Sequence, residues 1–283
     1  MEGQLEDKPE TEENCSQCAP DQSDGQGTSD ERRGFIEGTG LFSCRTSVAP
    51  WSLRDVIVAS VLLFPVGVGG SLGLGLALIR TGLVADKTLA AVLGSVLLPT
   101  TLLAGAWIFG VRRHKVSLNS LGFRRTSLTS VTWLPLVALS IGLSATAVYA
   151  LLAQWLGIDI LVPDQGLEEI AALDGAAMLP TFAIVGLLAP FAEEVFFRGF
   201  LLAALASVIG GLRGALVSSA IFSVAHLNVG TLAPIFVMGM LLAWLYLRTG
   251  SIWPPIVAHA AQNLIALTVL ELPIETPAAY LQT

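Results

Sequence analysis

The stretch VIVASVLLFPVGVGGSLGLGLALI, residues 56–79, decides the fold. It runs without a charge between Arg54-Asp55 and Arg80. A bilayer core takes about 20 apolar residues per spanning helix, so this run predicts a transmembrane helix. Pro65 lies inside it, and Gly69 and Gly73 stand four residues apart. That spacing of small residues permits close helix packing; the alternative is a helix that is merely rich in glycine.

Six more apolar runs follow: 89–110, 131–153, about 179–203, about 214–229, about 231–247 and about 252–270. The pattern predicts an all-α, polytopic transmembrane helical bundle of about seven spans. The fifth run is short for a full crossing, so one segment could be re-entrant. Composition agrees. Hydrophobic residues make up 53% of the 283 and charged residues 13%, where a soluble domain carries about 25% charge. A water-soluble enzyme and a nucleic-acid binder are both disfavoured, and the lipid bilayer is the expected surround.

The net charge of −7 belongs to one end. Residues 1–40 hold 11 acidic and 3 basic residues; the remaining 243 hold 11 and 12. Residues 1–45 have too little apolar surface to offset ordering entropy and are expected to form a disordered acidic tail. The first apolar stretch starts only after residue 55, so no signal peptide is expected. Cys15 and Cys18 form a lone CxxC, and Cys44 is the third cysteine. This is not a disulfide framework. With no second pair or histidine nearby it is a poor zinc site.

Lysine and arginine in short loops set orientation. Residues 111–130 carry Arg112, Arg113, Lys115, Arg124 and Arg125, and 154–178 carries five acidic residues and no Lys or Arg. The first loop is placed in the cytoplasm, with the tail; the second is an external acidic segment. Spans within 50–153 then precede it, and a core of helices over 179–272 follows. The reading is a multi-pass protein of the plasma membrane with a cytoplasmic N-terminus.

Ionisable residues inside spanning helices are costly and mark function by default. The fourth run has Glu193, Glu194 and Arg198, the fifth Phe222 and His226, the seventh His259 and Asn263. Glu194 and Arg198 are i and i+4 in the favourable acid-first order; a purely structural ion pair would explain them equally. Glu193 is turned about 100° away along the helix and is left free to face a cavity. His259 and Asn263 share a face, and Phe222 stands one turn before His226. His114, in the basic loop, reads as an interfacial charge. Ser223 reads as a small packing residue.

At 1.5 Å rise per residue, Glu193, His226, His259 and Asn263 fall roughly 11–18 Å from the cytoplasmic ends of their helices. One polar layer across three helices points to a single wet cavity, since bare charge in hydrocarbon costs too much. A carboxylate beside an imidazole and water suits general-base catalysis. A His/Asn pair can donate to a developing oxyanion. Together they suit hydrolysis of an acyl bond such as a peptide.

The set Glu-Glu-x-x-x-Arg, Phe-x-x-x-His and His-x-x-x-Asn resembles the motifs of the CPBP (Abi) intramembrane proteases, which include the type II CAAX prenyl endopeptidases. The resemblance covers roughly residues 180–270, and Leu121-Gly122-Phe123-Arg124-Arg125 is similar to a basic segment of bacterial members. It implies an intramembrane endopeptidase whose catalytic core is 179–272. Glu193 would activate water, His226 would hold and polarise it, and His259 with Asn263 would stabilise the oxyanion. Glu194, Arg198 and Phe222 would support the site.

The expected substrate is a membrane-associated protein or peptide, which CAAX-box processing would make a prenylated one. No cofactor is expected. Zinc on two histidines and a glutamate is the alternative, but an amide such as Asn263 is a poor zinc ligand and there is no HExxH. Two other classes compete. One is a non-catalytic membrane scaffold or bacteriocin-immunity protein on the same fold. The other is a proton-coupled transporter, which would show the internal repeats that this sequence lacks.

Overall fold

The computed structural model describes residues 48–163, 173 and 175–271. The expected tail 1–45 with its three cysteines lies outside the described residues, as do Asp164, Glu168, Glu169 and Asp174. Among the described residues there is no strand. The protein is an all-α bundle.

Helix α1 (Leu53–Arg80) contains the deciding stretch. Its start is built by Ser52 and Asp55, each side chain accepting the other's backbone N–H, a reciprocal cap. Asp55 also meets Arg113 Nε and His114 Nε2, both at 3.1 Å. His114 therefore ties the basic loop to the start of α1. Helices α2 (Lys87–Gly94) and α3 (Leu97–Gly105) follow, and α3 continues as a π-helical segment to Arg112. Helix α4 is Leu128–Trp155.

The sequence's fourth run is longer than expected and not uniformly α. Residues 178–209 are continuously helical. They comprise α5 (Met178–Thr181), a π segment (Phe182–Leu188), α6 (Ala189–Glu194), a second π segment (Val195–Leu202) and α7 (Ala203–Ile209). Gly210, at φ 83°, turns the chain into α8 (Gly211–Val224). Helices α9 (Leu232–Thr249) and α10 (Trp253–Glu271) complete the bundle. The fifth run was read as a helix to about residue 229, but α8 ends at Val224.

Every residue of Val195–Leu202 is buried, which puts this π segment at the centre. Two of its carbonyls also accept from side chains distant in sequence. Trp51 Nε1 donates to Phe200 O at 2.9 Å and Ser218 Oγ to Phe197 O at 3.1 Å. Leu121-Gly122-Phe123 is strapped between this segment and the α9–α10 turn. Gly122 O accepts from Ile252 N at 2.8 Å, and a Cβ on Gly199 would lie 2.6 Å from Leu121 O.

The outer helices show the reverse pattern. On α1, Val61, Leu62, Val66 and Leu72 are exposed; on α4, Trp133, Leu136, Leu151 and Trp155 are exposed. Such apolar surface is fit for lipid rather than water. Among the described residues four helical stretches are long and apolar enough to cross a membrane: Leu53–Arg80, Lys87–Arg112, Leu128–Trp155 and Leu232–Thr249. The chain is an integral membrane protein.

The close-packing glycines are not Gly69 and Gly73. A Cβ on Gly69 or Gly73 would meet nothing within 4 Å. Instead Gly75 lies against Ala90 O, and a Cβ on Gly94 would stand 2.5 Å from Ser71 O and 2.8 Å from Gly75 N. The helix pair α1–α2 meets backbone to backbone at Gly75 and Gly94.

Candidate active site

Three helical elements bring the polar residues together. Glu193 and Glu194 end α6, His226 follows the end of α8, and His259 and Asn263 stand on α10. Glu193, His226, His259 and Asn263 all border one cavity of about 260 Å³, with Phe222 in its wall. Val185, Ile235, Met238, Ala266 and Leu267 give that cavity an apolar side.

The two glutamates part as their helical offset requires. The Glu193 side chain keeps 22% exposure and faces the cavity. Glu194 is fully buried beneath it. Its Oε1 accepts from Arg198 Nη1 and from His259 Nδ1, both at 2.8 Å. Arg198 Nη2 also donates to Gly239 O at 3.2 Å. The i,i+4 pair is thus made, although the backbone between its members is π-helical. It also does something the spacing did not reveal: it holds an imidazole from another helix.

That hold fixes the ring of His259. With Nδ1–H given to a carboxylate, Nε2 is the nitrogen left to the cavity. It stands 3.8 Å from Glu193 Oε2, a separation that a shared water can bridge. His226 is fixed similarly. Its Nδ1 lies 2.8 Å from Phe222 O, an acceptor only, so Nδ1 carries the proton. In the neutral ring Nε2 then offers a lone pair. Asn263 Nδ2 donates to Val185 O at 3.0 Å, which spends one of its two N–H groups.

Phe222 joins these parts. The Arg198 guanidinium lies 4.4 Å from its ring centre, a cation–π contact. The rings of His226 and His259 meet it edge-on at 4.8 and 5.7 Å. Ser223 is buried and its hydroxyl donates to Leu232 O.

Helix α8 is shorter than a membrane span. Its 14 residues span about 21 Å, short of the roughly 30 Å hydrocarbon core. Arg213 lies in its first turn. Leu227, the residue after His226, has φ 54°. Such a left-handed Leu is rare and costs about 1–2 kcal/mol.

Residues 175–265 match the family model "Type II CAAX prenyl endopeptidase Rce1-like". The matched segment contains Glu193, Glu194, Arg198, Phe222, His226, His259 and Asn263. A 94-residue stretch is also 36% identical to "Putative membrane peptidase YdiL" of Bacillus subtilis (strain 168). That match covers 33% of this chain and 38% of the relative's length. No solved structure matches the chain.

Three polar cavity residues have no role assigned from the sequence: Asn228, Thr231 and Gln262. Asn228 and Thr231 bond to each other across the turn after His226, and no spacing rule marks that turn. Gln262 adjoins Asn263 and was legible as a polar residue at helix depth. Its Oε1 is buried without a partner among the described residues. Among the described residues no three of His, Cys, Asp and Glu are grouped to hold a metal ion.

Proposed function

We propose that the protein is an intramembrane endopeptidase that cuts a membrane-associated protein or peptide with glutamate-activated water. The observation that carries this reading is one cavity bordered by Glu193 at the end of α6, His226 in the turn after α8, and His259 and Asn263 on α10. The Rce1-like match over the same residues supports it, as does the name of the Bacillus relative. A CAAX-type, prenylated substrate is the finer reading, supported by the family's description.

The chemistry follows from the atoms. Glu193 takes a proton from water, and the water oxygen bonds to the scissile carbonyl carbon. His226 Nε2 accepts water's second hydrogen as a hydrogen bond and orients it. The carbonyl oxygen becomes an oxyanion and receives the free N–H of Asn263 and, when the His259 ring carries both protons, His259 Nε2–H. The Glu194 carboxylate faces that imidazolium charge. The C–N bond then breaks, and Glu193 returns its proton to the leaving amine. No metal enters this scheme.

The test needs no known substrate. Membrane-protein termini are compared by mass spectrometry in cells carrying wild type or Glu193→Ala at equal expression. Termini lost with Glu193→Ala are expected, and they reveal the cleaved junction. Identical termini, with any phenotype restored by both versions, would favour the non-catalytic scaffold.

A further inference from the structure

Gln262 stands on α10 three residues after His259 and beside Asn263, and it borders the same cavity. Its Oε1 has no hydrogen-bond partner among the described residues. Neighbouring polar atoms are engaged: His226 Nδ1 with Phe222 O, Asn263 Nδ2 with Val185 O, and Asn228 Oδ1 with Thr231 N. An apolar side chain of similar length would fill this wall with no unmet acceptor, so packing gives no reason for a carboxamide. The last torsion of a glutamine is soft, and turning about it brings the oxygen to the cavity.

A peptide bound at membrane depth presents the complementary need. Each peptide unit carries an N–H and a C=O that must be satisfied where bulk water is absent. The scissile carbonyl has its donors in Asn263 and His259. The N–H of a neighbouring unit requires an acceptor. We propose that Gln262 Oε1 accepts the backbone N–H of a peptide unit flanking the scissile bond and so positions the substrate beside Glu193. This rests on the peptidase reading above. The gripped unit does not change charge during reaction, so the contact strengthens ground and transition states alike.

The probe is a synthetic peptide spanning the junction found by the terminus comparison, with copies N-methylated at each flanking amide in turn. Purified full-length protein cleaves them in proteoliposomes. Gln262→Leu raises KM about tenfold, and kcat changes much less. One N-methylated copy costs the wild type a similar factor and costs Gln262→Leu nothing further. If Gln262→Leu fails to fold, Gln262→Met takes its place in the same comparison. An unchanged KM, or equal N-methyl penalties in wild type and variant at every amide, overturns the inference and leaves the peptidase reading intact. A wild type that cleaves no junction overturns that reading, and this inference with it.

Discussion

Glu194 Oε1 lies 2.8 Å from Nδ1 of His259, a residue 65 positions away on another helix. The same oxygen neutralises Arg198. One buried carboxylate therefore serves a cation below the cavity and aims a ring into it.

Removing either member of the Glu194–Arg198 pair leaves a buried charge unmatched. Glu194→Ala and Arg198→Ala should each cost about 3–5 kcal/mol of stability, read as loss of the folded fraction in thermal unfolding in detergent. Replacing both with apolar residues should cost less than the two single changes combined. Strict additivity would contradict the pairing.

Glu193 behaves differently, because its side chain is partly exposed and carries no buried cation. Glu193→Gln should leave the unfolding temperature nearly unchanged and lower kcat by about 10²–10⁴. Glu193→Asp should recover only part of that rate, since one methylene withdraws the carboxylate from the water. Full activity in Glu193→Asp or Glu193→Gln would remove Glu193 from the general-base role.

The glycines give a test of the fold alone. Gly94→Ala puts a Cβ against Ser71 O and Gly75 N, so α1 and α2 must part. A loss of about 1–3 kcal/mol is expected. Gly69→Ala meets open space and should be neutral or stabilising by up to about 1 kcal/mol. Equal effects at the two positions would show that the α1–α2 contact is not where it is described.

Metal dependence is checked directly. Chelator treatment of the purified protein should leave cleavage unchanged, and elemental analysis should find no stoichiometric zinc. Activity lost to chelation and restored by zinc would replace the metal-free scheme.

Much of the site was legible because charge at membrane depth is so costly. Glu193, Glu194, Arg198, His226 and His259 stood out against long apolar runs. The i,i+4 rule foresaw the Glu194–Arg198 pair and the shared face of His259 and Asn263. For Gly69 and Gly73 the sequence left close packing and a merely glycine-rich helix open, and the structure favours the second, with the close contact at Gly75 and Gly94. Gly69 and Gly73 have the right spacing, but spacing does not say which face meets a neighbour.

Sequence alone was enough to read an all-α membrane protein and the few polar residues that interrupt its apolar runs. Hydrophobic length and helical period are local properties, written residue by residue. Only the tertiary structure decided the rest. It made Val195–Leu202 a buried π segment whose Phe200 and Phe197 carbonyls accept from Trp51 and Ser218. It ended α8 at Val224 and left His226 in a turn. It also placed His259 on Glu194 and Gln262 at the cavity wall. These outcomes depend on groups from distant parts of the chain meeting in space, where hydrogen bonds and packing override the preference of any single segment.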